Sequence, residues 1–270
     1  MCDSSQPSSK LQTAAPNATQ ELGLQTARAW AHDIRAVAFD MDGLLVNTEE
    51  LYTEVGHTIL SRRGKQFTSK LKNAMTGLPG PKAFALMIAH EQLSDSVEAL
   101  AAESAEIFGQ ILAARVKTML GVEAMLDLLD SQKLPRCVAT SSTRQFADEV
   151  LQIVGIADRV DFVVTSENVQ HGKPAPDIYL LAAERMQVSP RNMLVFEDSH
   201  HGSTAGVASG ACTIAVPGPH SEDHDFSRVH YRATSLADPN ILQFFKRTTL
   251  ASLCLVLGAW LIVLRSALFV

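Results

Sequence analysis

The stretch Ala36-Val37-Ala38-Phe39-Asp40-Met41-Asp42-Gly43-Leu44-Leu45-Val46 decides how the chain folds. Its apolar opening reads as a buried β-strand, and two carboxylates two residues apart follow, just ahead of a glycine. Asp40 and Asp42 therefore stand at the carboxyl end of a strand, the edge at which open parallel α/β sheets bind their ligands. Like charges so close raise one another's pKa unless a cation lies between them, and oxygen donors suit a hard divalent ion, Mg²⁺. One carboxylate can then attack while the other handles a proton. Taken alone, D-x-D-G equally describes a strand entering an Asp-Gly turn, so the remainder of the chain must decide.

Downstream, short β-branched runs alternate with helical patterns, the signature of a parallel sheet covered by helices on both faces. The predicted strands are 36–40, 136–140, 162–165, 193–197 and 212–216. Between the first two lies an insertion of about 70 residues, 51–120, with helical periodicity and no strand pattern, including Ile59, Leu60, Leu86, Met87, Ile88, Leu100, Ile107, Phe108, Ile111 and Leu112. The expected fold class is α/β, a doubly wound parallel sheet with an inserted all-helical cap domain. The expected divisions are an N-terminal arm at 1–32, a core at 33–50 and 121–244, and a cap at 51–120. An insertion placed directly after the acidic pair would hang over it as a lid that excludes water.

Three more segments end strands on the same edge. Val138-Ala139-Thr140-Ser141-Ser142-Thr143 brings hydroxyls and backbone N–H groups to a helix start, where a phosphate is favoured; Ser142 or Thr143 could equally be a simple N-cap. Gly172-Lys173-Pro174 sets a lysine in a proline-stiffened loop, where it could neutralise a phosphate or an attacking carboxylate, or merely be solvated. Glu197-Asp198 closes a buried strand with two further acids, completing a metal-ligand count that Asp40 and Asp42 cannot reach alone, or else capping the next helix. The cap loop Met75-Thr76-Gly77-Leu78-Pro79-Gly80 either presents backbone to a substrate, Gly77 foremost, or forms an interhelical turn. His200 and His201 are read as solvated first-turn residues, because an oxygen-rich site prefers a hard ion. Gly202, Ala205, Gly206, Ala208 and Gly210 read as a small-residue face that lets their helix approach the sheet.

Acid pair, hydroxyl cradle, lysine and second acid pair, in that order over 35–242, resemble the haloacid dehalogenase superfamily of phosphohydrolases. The helical insertion and the stretches Val169-Gln170-His171-Gly172-Lys173-Pro174 and Val195-Phe196-Glu197-Asp198 resemble the subgroup containing β-phosphoglucomutase and pseudouridine-5′-phosphatase. The resemblance implies that Asp40 is the nucleophile that forms an aspartyl-phosphate. Asp42 would be the acid and base, and Ser141, helped by the backbone N–H of Ser142, would hold the phosphoryl group with Lys173. Asp40, Asp198 and the backbone carbonyl of Asp42 would ligate Mg²⁺, with Glu197 close by or acting through water. The expected function is Mg²⁺-dependent hydrolysis of a small phosphorylated sugar, polyol or nucleoside monophosphate. A phosphosugar mutase and a membrane-tethered non-catalytic binding module are the alternatives. Tyr52 stands where the mutase pattern carries a histidine, which favours hydrolysis. Asn47 replaces an aspartate common in relatives and is expected to keep a turn or hinge hydrogen bond. Phosphonate hydrolysis would want a cap lysine able to form a Schiff base, and haloacid hydrolysis would not need Asp42.

The composition sets outer bounds. The 270 residues are 46% hydrophobic and 19% charged, enough for a full core, and a net charge of −6 without long basic runs argues against nucleic acid as a partner. The four cysteines lack metal or disulfide spacing and read as reduced, with Cys137 and Cys212 buried in strands. The polar arm has no apolar block, so no signal peptide is expected, its Asn17-Ala18-Thr19 sequon is assigned no role, and the setting is read as cytoplasmic. Residues 248–270 carry only Arg265 as a charge and form a candidate C-terminal transmembrane tail, with Lys246-Arg247 and the catalytic domain on the cytosolic side. The same run could be a helix packed on the domain or on a second copy.

Overall fold

The computed structural model describes residues 34–75, 78 and 80–245. The polar arm, Gly77, Cys2, Cys254 and the apolar tail lie outside them. Six strands form one sheet, β1 (Ala36–Phe39), β2 (Arg136–Ala139), β3 (Phe162–Val164), β4 (Met193–Glu197), β5 (Cys212–Ala215) and β6 (Tyr231–Arg232), in the order β3-β2-β1-β4-β5-β6. Every pairing is parallel. Five of the strands were legible as apolar runs. The sixth, two residues at the sheet edge with Arg232 exposed, is too short and too polar to show a pattern.

Parallel strands need crossovers, and the helices of the described residues are α1 (Thr48–Ser61), α2 (Ser69–Met75), α3 (Gly80–Glu91), α4 (Val97–Arg115), α5 (Val122–Gln132), α6 (Arg144–Ile153), α7 (Asp177–Arg185), α8 (His200–Ala208) and α9 (Pro239–Phe245). Side chains alternate across a strand, so each strand feeds two cores. Val37, Phe39, Val138, Leu194 and Phe196 share one with Leu51, Ile59, Leu100, Phe108 and Leu126. Ala38, Cys137, Ala139, Met193 and Val195 share the other with Ile178, Tyr179, Ala182 and Ala205. The first core is built of large side chains, with Phe39 stacked on Phe196 at 5.4 Å between ring centroids. The second is lined by alanines, which lets α7 and α8 lie close to the sheet and reach its carboxyl edge.

Helices α1 to α4 form the all-helical insertion between β1 and β2. Its two connections to the sheet are sewn together by Asn47. The Asn47 carboxamide donates to Glu50 Oε2 at 3.0 Å and accepts from the backbone N–H of Lys117 at 2.9 Å, while its own backbone N–H donates to Lys117 O at 3.2 Å. This is the hinge hydrogen bonding expected of Asn47. Cys137 and Cys212 are buried free thiols, and burial pushes the Cys212 thiol up to about 12. Among the described residues no helix is long and apolar enough to cross a membrane.

Candidate active site

Strand register assembles the centre. Phe39 pairs with Phe196, so the next residues, Asp40 and Glu197, leave β1 and β4 side by side, and the backbone N–H of Asp40 donates to Phe196 O at 3.0 Å. Both continue the parity of the alanine-lined face. Lys173 enters there from the loop before α7, through a cis Lys173–Pro174 peptide. Its ammonium donates to Asp40 Oδ1 at 2.5 Å, Glu197 Oε1 at 2.6 Å and Ala139 O at 2.9 Å. Burial works against the charge of Lys173, but the Asp40 and Glu197 carboxylates outweigh it and hold the pKa above the ordinary lysine value.

Glu197 is fully buried, and all its lone pairs face donors. Tyr179 Oη donates to its Oε1 at 2.7 Å. Its Oε2 accepts the backbone N–H groups of Asp198 and Ser199 at 3.1 and 3.3 Å and the Ser199 hydroxyl at 3.1 Å. Ser199 in turn caps α8 by accepting from the backbone N–H of Gly202. Glu197 thus acts as the keystone that positions Lys173, while Asp198 lies against Gly43. With φ at +82°, Gly43 takes a left-handed turn; a Cβ there would stand 2.5 Å from Asp198 Oδ2.

Asp40, Glu197 and Asp198 each offer a carboxylate oxygen within 4.8 Å of the others. Burial first, then the neighbouring carboxylates, pushes Asp40 and Asp198 well above the usual carboxylate range. Ionising all three acids against the Lys173 ammonium would leave two negative charges uncompensated. An all-oxygen donor set with that excess fits a hard divalent cation such as Mg²⁺. Since both Glu197 oxygens are engaged, Asp40 and Asp198 carry the free donor atoms. The Asp42 side chain stands apart from this trio. Its Oδ1 accepts from the Thr48 hydroxyl at 2.7 Å, and its Oδ2 from Ser142 at 2.8 Å and Thr140 at 3.1 Å.

The structure brings together Asp40, Lys173, Glu197 and Asp198, with Asp42 and Ser142 joined to them through the turn after β1. Ser141 is exposed at the end of β2, and the hydroxyls that reach Asp42 come from its two neighbours. Thr143 is the N-cap of α6, accepting from the backbone N–H of Phe146. The His200 ring donates from Nδ1 to Asp225 O at 2.6 Å, and neither it nor His201 joins the acid cluster. The small-residue face divides its work: Gly206 makes room for Thr213 and Val195 of the sheet, whereas Gly202 makes room for Glu197. Thr48 and Tyr179 were missed by sequence reasoning, and Thr140 was named only within its hydroxyl stretch. Thr48 had a signal, its place in the first turn of the helix behind the acidic pair; Tyr179 had none, because only packing aims its hydroxyl at Glu197.

Helix α1 adds Glu49, whose carboxyl burial pushes up and the Asp42 charge pushes further, against the pull of Lys72. Lys72 on α2 meets His220 Nδ1 from the loop after β5, tying the inserted helices to the core beside the cleft. Phe108 on α4 packs on Phe146 of α6 at 5.6 Å, tying them at a second point.

A family model described as haloacid dehalogenase-like hydrolase matches residues 37–216, which span β1 to just past β5 and every residue of the acid–lysine centre. A Drosophila melanogaster protein named "Probable pseudouridine-5′-phosphatase" is 34% identical over 212 residues, 76% of this chain and 91% of the relative. The phosphorylated carbohydrates phosphatase of Thermotoga maritima is 32% identical over 177 residues, 66% of this chain and 82% of the relative. The crystal structure of a candidate β-phosphoglucomutase from Thermotoga maritima superposes with a TM-score of 0.68 at 28% identity, covering 78% of this chain and 99% of that one. The order of strands, the buried acid–lysine centre and these matches agree that the chain belongs to the haloacid dehalogenase-like hydrolase family.

Proposed function

We propose that this phosphoric monoester hydrolase acts on a small phosphorylated sugar, polyol or nucleoside monophosphate through an aspartyl-phosphate on Asp40, with Mg²⁺ as cofactor. The observation that carries the reading is Asp40 itself, a buried carboxylate held 2.5 Å from Lys173 at the open edge of the sheet. A nucleophile needs a free oxygen with a fixed direction, and pinning Oδ1 on Lys173 leaves Oδ2 to attack. Phosphatase names among the relatives support the class: a phosphorylated carbohydrates phosphatase and a pseudouridine-5′-phosphatase.

In the first step an Asp40 oxygen bonds to phosphorus as the bond from phosphorus to the alcohol oxygen breaks. Asp42 delivers its proton to that departing oxygen. In the second step Asp42 takes a proton from water, whose oxygen attacks phosphorus and frees the Asp40 carboxylate with inorganic phosphate. Thr48, Thr140 and Ser142 orient Asp42 for both transfers. Lys173 stays charged and offsets the negative phosphoryl oxygens, while Glu197 keeps it in place. Asp40 and Asp198, with the backbone carbonyl of Asp42, would hold the cation, which supplies charge neutralisation at the phosphoryl group. Ser141 and Gly77 keep their sequence-based roles, phosphoryl binding and substrate-facing backbone.

A mutase would require the phosphoryl group to return to a second hydroxyl, and Tyr52 supplies no imidazole for that cycle. Phosphate release by the full chain from a panel of sugar, polyol and nucleoside monophosphates, with and without Mg²⁺, tests the proposal. Mg²⁺-dependent release is expected; phosphate moving between hydroxyls without release would move the reading to a mutase, and complete inertness to a binding module. The membrane-anchor reading rests on the apolar sequence of the tail, and recovery of the full chain in the soluble fraction after carbonate extraction would end it.

A further inference from the structure

Tyr52 is the aromatic side chain near the acids that the proposed chemistry leaves unused. It lies four residues after Thr48 on α1, so both share one helix face, and Thr48 touches Asp42. One face of the Tyr52 ring is covered by Phe108, stacked at 4.5 Å between centroids and backed by Phe146. The side chain is nevertheless 45% exposed, whereas Phe108 is 7% exposed. An exposed tyrosine alone is unremarkable in a folded protein. This one lies one helical turn from Thr48, whose hydroxyl bonds Asp42, and burial, then the charges of Asp42 and Glu49, push its phenol upward. The helix rises about 1.5 Å per residue, so Tyr52 stands roughly 6 Å along α1 from the group that orients Asp42, about the length of one sugar ring.

We propose that the open face of Tyr52 is a stacking platform for the alcohol part of the substrate, selecting phosphate esters of cyclic alcohols over those of acyclic polyols. A ring offers a flat face to the aromatic surface and arrives with its torsions already restricted. An acyclic chain with the same hydroxyls offers no such face and must surrender rotational freedom to bind. Phe108, packed at a tilt on Phe146, backs the platform. The inference rests on the phosphatase reading for the position of the phosphoryl group.

Calorimetric titration of the full chain carrying Asp40→Asn, which separates binding from turnover, tests it with three matched pairs. These are glucose 6-phosphate with sorbitol 6-phosphate, fructose 1-phosphate with mannitol 1-phosphate, and ribose 5-phosphate with ribitol 5-phosphate. With Tyr52 intact, the cyclic member of at least one pair is expected to bind about fivefold tighter, as one aromatic contact allows. Tyr52→Leu should bring that ratio close to parity, and Tyr52→Phe and Tyr52→Trp, which keep the ring face and do not depend on the leucine variant folding, should preserve it. Equal binding within every pair, absent binding of all six esters, or a preference that survives Tyr52→Leu would overturn the platform. Parallel phosphate-release assays on the protein with native Asp40 separate the two readings. Ring preference in binding without any turnover would sink the hydrolase mechanism and leave the platform standing; turnover with no ring preference would do the reverse.

Discussion

Glu197 occupies the space that a side chain at residue 202 would need: a Cβ built on Gly202 would stand 1.7 Å from Glu197 Oε1. The first turn of α8 is therefore a glycine so that a buried carboxylate can lie against its backbone and hold Lys173. Gly202→Ala must displace Glu197 from Lys173 and Tyr179. Overpacking of this kind costs about 1–3 kcal/mol, and because the displaced group positions the lysine, activity should fall by more than the stability change implies. Urea unfolding set beside phosphate release reads both, and an alanine variant with native turnover would show that Glu197 does not need this place.

Lys173→Met should be the most destabilising single change at the centre. It leaves Asp40 and Glu197 buried without a cation, a loss of about 3–5 kcal/mol for one partner removed from a buried ion pair. Denaturant melts in metal-free buffer measure it. A loss below 1 kcal/mol would mean that the pair is solvated in solution.

Asp40→Asn should remove turnover while the protein stays folded. The amide keeps the shape and sheds a charge that burial and the nearby acids already oppose. Thermal melting without divalent ion should lie within a few degrees of the unmodified protein, and phosphate release should drop at least about 10³-fold, as loss of a covalent nucleophile does. Retained release would remove Asp40 from the nucleophile's role.

Without a divalent cation, the contribution of Asp40 and Asp198 to stability should fall as pH rises. Asp40 and Asp198 hold their protons to higher pH when folded than when unfolded. Above the ordinary carboxylate pKa the unfolded chain has released protons that the folded one retains, so each further rise in pH favours unfolding until the folded groups ionise. Mg²⁺ should reverse the trend. Its stabilisation, about 2.7 kcal/mol at 100 times Kd, should be full at neutral pH and vanish on acidification as protons displace it. Melting temperature against pH, with and without Mg²⁺, checks both limbs, and two parallel curves would show that no cation binds among these acids.

Thr48→Val keeps the shape of the side chain and removes one of the three hydroxyls on Asp42. An acid–base group left with one oxygen unsupported should lose about 10–100-fold in kcat with KM little changed, the expected penalty for misplacement of a catalytic group. A KM effect alone would assign Thr48 to substrate binding.

Five strands and the all-helical insertion were legible because they depend on short-range pattern: apolar runs bounded by turn residues, and helical periodicity between them. The acids and the lysine were legible because they sit where a strand ends, a position the local sequence already marks. β6 was not, since two edge residues form a strand only by pairing with β5. The hydroxyl stretch after β2 shows the same limit within a motif: it named the right turn, but only the fold aims Thr140 and Ser142 at Asp42.

By itself, then, the order of residues determined which chemical groups reach one edge of one sheet, because strand ends and turn residues are local properties of the chain. Tertiary structure decided how those groups divide the work. Glu197 became a buried keystone and not a free ligand because Tyr179, Ser199 and Lys173 converge on it from three separate elements. Residue 202 has no room for a side chain because of a carboxylate five residues before it, and Tyr52 keeps one open face because Phe108, 56 positions later in the sequence, covers the other. Contacts between distant segments exist only once the backbone has closed, and no local pattern encodes their direction.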